Sequence, residues 1–280
     1  MRARILLIAS LILAGCGATP RPADPPRLAA ALETESDGAK RYERGDYSAA
    51  ARRFNEAVRI YISIDDISGV ARNRRHLARS ELALGRADAA LLVLAAAERS
   101  DGVLALDTLL IKAQAQLALG RHEAAKQSLV AATDQCAGAC PQLASVRLLQ
   151  GRAALAEQRP ADALAHAEIA LELLRDKNEA SETGNAWRLI AAARLAAGDA
   201  TGALPAAQAA LDIDRRQALP EKIARDWLLI GDIQRKLETR DAVDSYQRAL
   251  DVANAAGLGD IAGTAAKALA EASAARETGR

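Results

Sequence analysis

Ser36 to Tyr61 reads SDGAKRYERGDYSAAARRFNEAVRIY, and the spacing within this stretch decides the fold. Gly38 sits inside a run of helix formers, Gly45-Asp46-Tyr47 breaks that run, and Ala50, Phe54 and Ala57 recur on one face of the next. A glycine ends a helix by taking the left-handed conformation, and an aspartate beside it caps the helix that follows. The stretch therefore predicts two helices, A and B, joined by a short turn. Gly38 and Ala50 fall where A and B would cross, a place that admits only the smallest side chains. Phe54 is large enough to fill the gap toward a neighbouring element.

The same spacing returns along the chain, which points to a repeat architecture. A second copy holds Leu77, Ala78, Gly85, Ala90, Leu94 and Ala97, and a third holds Ala113, Gly120, Ala125, Leu129 and Ala132. The fourth has Gly151, Ala163 and Ala170, with Gln158 in place of the turn glycine. The fifth has Trp187, Gly198-Asp199, Ala203, Ala207 and Ala210. The sixth has Trp227, Ile230 and Gly231, then Ala242, Tyr246 and Ala249 once a residue is deleted from the turn. Five of the seven aromatic residues fall on these positions, Tyr42 and Tyr61 being the exceptions.

This pattern resembles the tetratricopeptide repeat, whose signature has a small residue at position 8, Gly-Asp-Tyr at positions 15 to 17, and Ala, aromatic, Ala at positions 20, 24 and 27. The resemblance implies an all-α, right-handed superhelical solenoid of about six helix pairs over residues 28–276, whose business is binding a protein or peptide. Ile261, Ala265, Leu269 and Ala272 form one stripe in a last helix without a B partner, the polar cap that a solenoid needs. Residues 277–280 read as a flexible tail. Arg86 and Arg121 stand where Asp46 and Asp199 stand elsewhere, so those turns are expected to lack a side-chain cap. Successive copies lie 35 to 40 residues apart, against about 34 for the family. The extra residues, in Ser63 to Ile67 and Arg175 to Glu179, are expected to loosen the superhelix.

Composition agrees with an all-α chain. Alanine, the best helix former, makes up about a quarter of the 280 residues and aromatics only 2%. The formal charge is +1, so the overall balance points to neither nucleic acid nor an acidic membrane face.

The N-terminus carries a separate message. Arg2 and Arg4 precede the apolar run Ile5 to Leu13, which is too short to span a bilayer, since that takes about 20 residues. Leu13-Ala14-Gly15-Cys16 resembles the lipobox of bacterial lipoproteins, which implies a signal peptide over 1–15, cleavage before Cys16 and lipidation of Cys16. Several acyl chains, at about 0.8 kcal/mol per buried methylene, make such an anchor effectively permanent. Gly17, rather than Asp, after the cysteine implies by the same resemblance the periplasmic face of the outer membrane. The segment 16–27 holds four prolines and reads as an extended tether, reaching roughly 30 Å at about 3.1 Å per residue.

Cys136 and Cys140 remain as a pair in an oxidising compartment. Their C-x3-C spacing beside Gly138 and Pro141 suits a local disulfide, with a redox dithiol or half a metal site as the alternatives. His76, His122 and His166 lie in different repeats, and no HExxH, P-loop, dinucleotide or nucleophile-elbow motif occurs. The pattern thus points to no enzyme, no metal and no cofactor. Positions 2, 5, 9, 12 and 13 of each helix A line the concave face of the family's superhelix. In this chain they bring Arg72, Arg75, Arg79, Arg152, Arg188 and Arg225, against the acids Glu35, Asp107 and Asp232. Arginine forks suit carboxylates, so the expected partner is an acidic or C-terminal peptide in a basic groove. The plainer reading leaves these arginines as solvated helix surface. Family roles include pilotins, barrel-assembly components and adaptors of peptidoglycan hydrolases. An envelope redox protein and a self-associating structural lipoprotein are the competing classes.

Replacing Cys16 with Ala is expected to release the folded protein from membranes, as read by cell fractionation; persistence in the membrane pellet would refute the anchor.

Overall fold

A computed structural model of the chain describes residues 24–98 and 105–278. The signal over 1–15, Cys16 and the tether as far as residue 23 lie outside the described residues, as does the side chain of Ala97. The described residues form thirteen α-helices and no strand: α1 (Pro26–Glu43), α2 (Tyr47–Ser63), α3 (Ile67–Ala83), α4 (Ala87–Glu98), α5 (Leu106–Ala118), α6 (His122–Cys136), α7 (Leu143–Ala156), α8 (Pro160–Leu174), α9 (Ala180–Ala196), α10 (Ala200–Arg216), α11 (Pro220–Lys236), α12 (Ala242–Ala255) and α13 (Gly259–Thr278). Six A/B pairs and a cap make an all-α solenoid. Helix α1 begins at Pro26, inside the segment read as tether, because proline at the first helical position loses no hydrogen bond and its φ already suits the helix. Helix α13 runs on to Thr278, past the start of the expected tail.

The repeat register is visible in the packing. Ala78 shares a cluster with Ala90, and Ala191 with Ala203, and none of the four has exposed surface. A Cβ on Gly231 would lie 2.5 Å from the Tyr246 ring, so only glycine lets that ring cross α11. Phe54 and Tyr246 are fully buried at the gap-filling position. Tyr61, which the repeat pattern left unexplained, is buried to the same degree.

The turns follow the expected chemistry. Gly45 has φ +80°, and Gln158, at the equivalent place, is forced to +58°, where a side chain costs about 1 to 2 kcal/mol. Asp46 and Asp199 cap α2 and α10 by accepting from the amides of Ala49 (3.1 Å) and Gly202 (2.8 Å). Arg121 makes no cap bond to α6; its guanidinium donates instead to Asp88 at 2.7 Å.

The extra residues are used differently at the two long joints, and Arg175 to Glu179 form a five-residue loop between α8 and α9. Between α2 and α3 the extra residues lengthen the helices, and the joint is a tight turn in which Asp65 takes φ +55° and Asp66 caps α3 through the Gly69 amide. Among the described residues each odd-numbered helix touches the next odd-numbered one, while no even-numbered helix touches the next even-numbered one. The array therefore curves, with the A helices on its inner side. At the far end α13 covers the last pair through Ile261, Ala265 and Ala272, which closes the apolar core as expected of a cap.

Ala203→Leu is expected to cost about 1 to 3 kcal/mol by overpacking the α9/α10 crossing. Thermal denaturation checks it, and an unchanged melting curve would reject the register.

Candidate functional site

The inner face is built from α1, α3, α5, α7, α9 and α11, and its ends come close to each other. The charge of Glu221, at the start of α11, reaches Tyr42 and Tyr47 of the first repeat. Burial first, and Glu221 next, raise the Tyr47 hydroxyl to about 12. Tyr42 is raised in the same way, mainly by burial, although Arg79 pulls the other way. The two rings meet edge to face at 5.1 Å. Asp260, at the start of α13, is near enough to Gly85 that a Cβ there would lie 3.4 Å from its Oδ2. The turn of the second repeat thus lies beside the start of the cap.

The six arginines expected to line this groove do not form one basic stripe. Arg72 donates Nε and Nη2 to Glu35 at 2.5 and 2.9 Å. Tyr61 Oη (2.7 Å) and Asn73 Nδ2 (2.9 Å) donate to the same carboxylate. Burial alone would raise the Glu35 pKa, yet these hydrogen bonds hold it at about 2. Arg188 is drawn further inside: it grips Asp226 through Nε at 2.6 Å and also bonds Asp214, and both carboxylates are fully buried. Arg188, with 19% of its side chain exposed, is not the solvated surface residue of the plainer reading, whereas Arg72 keeps 37% of its side chain exposed while it holds Glu35. Arg79 lies 3.6 Å from Asp107, and Arg225 donates to Glu221 at 3.1 Å. Asp232, the remaining acid, accepts from Tyr246 Oη at 2.8 Å. Arg75 and Arg152 have no hydrogen-bond or ion-pair partner among the described residues. Asn73 is buried and donates to Glu35 and to the Gly69 carbonyl.

The two polar clusters occupy the same register. Glu35 is separated from Tyr61 by 26 residues and from Asn73 by 38, and Arg188 stands in the same relation to Asp214 and Asp226. The equivalent residues of the fourth joint, Leu148, Leu174 and Ala186, are buried and apolar. Sequence reasoning placed Arg72 and Arg188 on the face but missed their partners, because a contact between a B helix and the next A helix is not part of the short signature. The signal was there in the recurring spacing.

His76 stacks on Phe54 with ring centroids 5.0 Å apart, and burial foremost lowers its pKa. His122 and His166 each keep Nδ1 buried without a partner among the described residues. Cys136 and Cys140 form a disulfide with Cα atoms 5.0 Å apart, closing the turn between α6 and α7, with Cys136 buried.

No family model matches the sequence, and no curated protein matches it. The fold is similar to solved structures. A chain of the APC/C hetero-tetramer Cut9–Hcn1 aligns with a TM-score of 0.64 at 16% identity, over 84% of this chain and 42% of that one. The Rap protein complexed with competence and sporulation factor gives 0.63 at 12% identity, over 89% and 87%. PilF of Pseudomonas aeruginosa gives 0.50 at 20% identity, over 82% and 93%. The present chain thus spans less than half of the Cut9–Hcn1 chain it matches. These likenesses establish the fold as the tetratricopeptide-repeat solenoid.

The Arg188 cluster makes a pH prediction. Burial above all, joined by Asp214 and opposed by Arg188, pushes Asp226 up to about 7. A raised carboxylate contributes stability that is present below its unfolded pKa, about 4, and is lost as pH rises through the folded value. Wild type should therefore lose on the order of 2 kcal/mol between pH 5 and 8 relative to Asp226→Asn. Melting curves across that range check it; parallel slopes in the two proteins would sink the assignment. Glu35 works in the opposite sense, its contribution being lost only as pH falls from about 4.5 toward 2.

Proposed function

We propose that this chain is a lipid-anchored adaptor at the periplasmic face of the outer membrane, which holds a protein or peptide partner of envelope assembly in its concave groove and catalyses nothing. The observation that carries the reading is the groove itself: an inner face closed by the approach of the first and last repeats and lined by two unpartnered arginines. Export and anchoring rest on the signal-like segment before Cys16 and on the cysteine pair that suits an oxidising compartment. A solved Rap protein complexed with a factor shows that a solenoid of this general fold takes a partner, which supports the reading by analogy of fold. A disulfide with one buried sulfur favours a structural role for Cys136 and Cys140 over a cycling dithiol.

The experiment is crosslinking in cells followed by capture of the anchored protein, with Arg75→Glu as the comparison. Arg75 makes no internal pair, so its reversal tests the groove without unsettling the fold. The expected result is a captured envelope protein that Arg75→Glu loses tenfold or more at unchanged helix content. A partner captured equally by both proteins would move the interface off the inner face.

A further inference from the structure

The formal charge of +1 is spread unevenly over the outer side of the array. Of the six B helices α2 alone is net positive, with Arg52, Arg53 and Arg59 against Glu56, whereas α10 is balanced and the other four are acidic. Arg52 and Arg59 stand two helical turns apart on the side of α2 opposite its buried Ala50, Phe54 and Ala57, and both are exposed. With Arg41, Arg53, Asn55 and Glu56 they line a recess of about 420 Å³. Ion pairs fix its walls. Arg53 meets Asp37 at 2.6 Å and Glu56 at 2.9 Å, and Arg41 donates to Asp37 at 3.0 Å. The nearby acids are thereby engaged, and Arg52 and Arg59 keep no hydrogen-bond or ion-pair partner among the described residues.

This face lies beside the point where the chain enters the array. Arg27, at the start of α1, donates Nε to Ser63 Oγ at the end of α2 at 3.0 Å. Cys16 precedes Pro26 by only ten residues, a reach of about 30 Å when extended. Ile62, 54% exposed, follows Arg59 by less than one turn. Open guanidinium forks bind phosphate oxygens, and the negative potential of an acidic bilayer draws basic clusters that come within a Debye length. An apolar side chain beside them can enter the headgroup boundary. We propose that the outer face of α2 seats on a bilayer of anionic phospholipid, with Arg52 and Arg59 on headgroup phosphates and Ile62 at the boundary. Asp65 is exposed in the turn beyond Ile62, so the contact centres on the two arginines rather than on the turn. An acidic protein would meet the same charges but would give no reason for them to sit beside the tether. The proposal rests on the anchor reading, which brings this face to the membrane, and adds an orientation to it: the first repeat lies on the lipid and the later repeats project away.

The test uses the full chain as processed in cells, with Ile62→Cys carrying NBD, a dye that brightens on leaving water. Cys136 and Cys140 are bonded to each other, lipidation occupies the Cys16 sulfur, and mass spectrometry checks that a single label is present. The same dye on Leu92→Cys, at a residue 75% exposed on α4, is the comparison. Each protein is mixed with vesicles of phosphatidylcholine alone or with an equal share of phosphatidylglycerol, and flotation is read beside fluorescence. The chain should float with both. The dye at 62 should be threefold or more brighter on the acidic vesicles than on the neutral ones, and the dye at 92 should show no such gain. Arg52→Glu with Arg59→Glu should remove the gain while flotation and circular dichroism stay unchanged. Equal brightness at 62 on the two kinds of vesicle, an equal gain at 92, or a gain that survives the reversal overturns the proposal. Flotation with acidic vesicles alone overturns the anchor and keeps the docking face; flotation with neither overturns both. A gain on adding polyglutamate, with none on acidic vesicles, assigns the face to an acidic protein and overturns the proposal as well.

Discussion

Everything in this molecule depends on how closely the two helices of a pair can cross. At the crossings of α3 with α4 and of α9 with α10 the residues in contact are alanines with no exposed surface. At α11 the residue is a glycine, and the Tyr246 ring takes the room it leaves. A close crossing lets one large side chain per pair, such as Phe54 or Tyr246, reach across and seal the neighbouring repeat. With so few aromatics available, the core is mostly alanine and leucine, and its density comes from proximity rather than from bulk. The same proximity keeps the A helices in mutual contact and sets the curvature that makes a groove.

Polar clusters are the second organising device, and they are confined to particular joints. Glu35 with Tyr61, Asn73 and Arg72, and Arg188 with Asp214 and Asp226, join a B helix to the A helices on either side of it. Such clusters add little net stability, because desolvation offsets their attraction. Their effect is selective. Removing one member leaves a buried charge, so each joint accepts only its own set. Each cluster keeps one buried oxygen without a hydrogen-bond partner among the described residues, Asn73 Oδ1 in the first and Asp214 Oδ1 in the second. Gly184 leaves Asp214 Oδ1 the space it occupies; a Cβ there would lie 2.9 Å from that oxygen. Burial sets the two apart: the Glu35 side chain keeps 17% of its surface and is held well below the usual carboxylate range by its hydrogen bonds, while the fully buried Asp226 is pushed well above it.

Internal pairing also shapes the groove's electrostatics. A count of arginines along the A helices suggests a continuous basic face. Four of the six are matched by the chain's own acids, so the positive surplus shrinks to Arg75 and Arg152.

The helix pairs, their order, the turn conformations and the capping helix were all legible in the residues, because each is a local matter of helix propensity, glycine backbone freedom and the spacing of small side chains. Gln158 shows how strong the local register is: it takes the left-handed conformation that its repeat position demands, although it is not a glycine. What only the tertiary structure decided was the state of each groove residue. Arg72, Arg152 and Arg188 look alike in the sequence, all of them arginines on the inner positions of an A helix. Their fates differ because each depends on which side chain the preceding or following repeat brings within a few ångströms, and that juxtaposition exists only once the helices have packed.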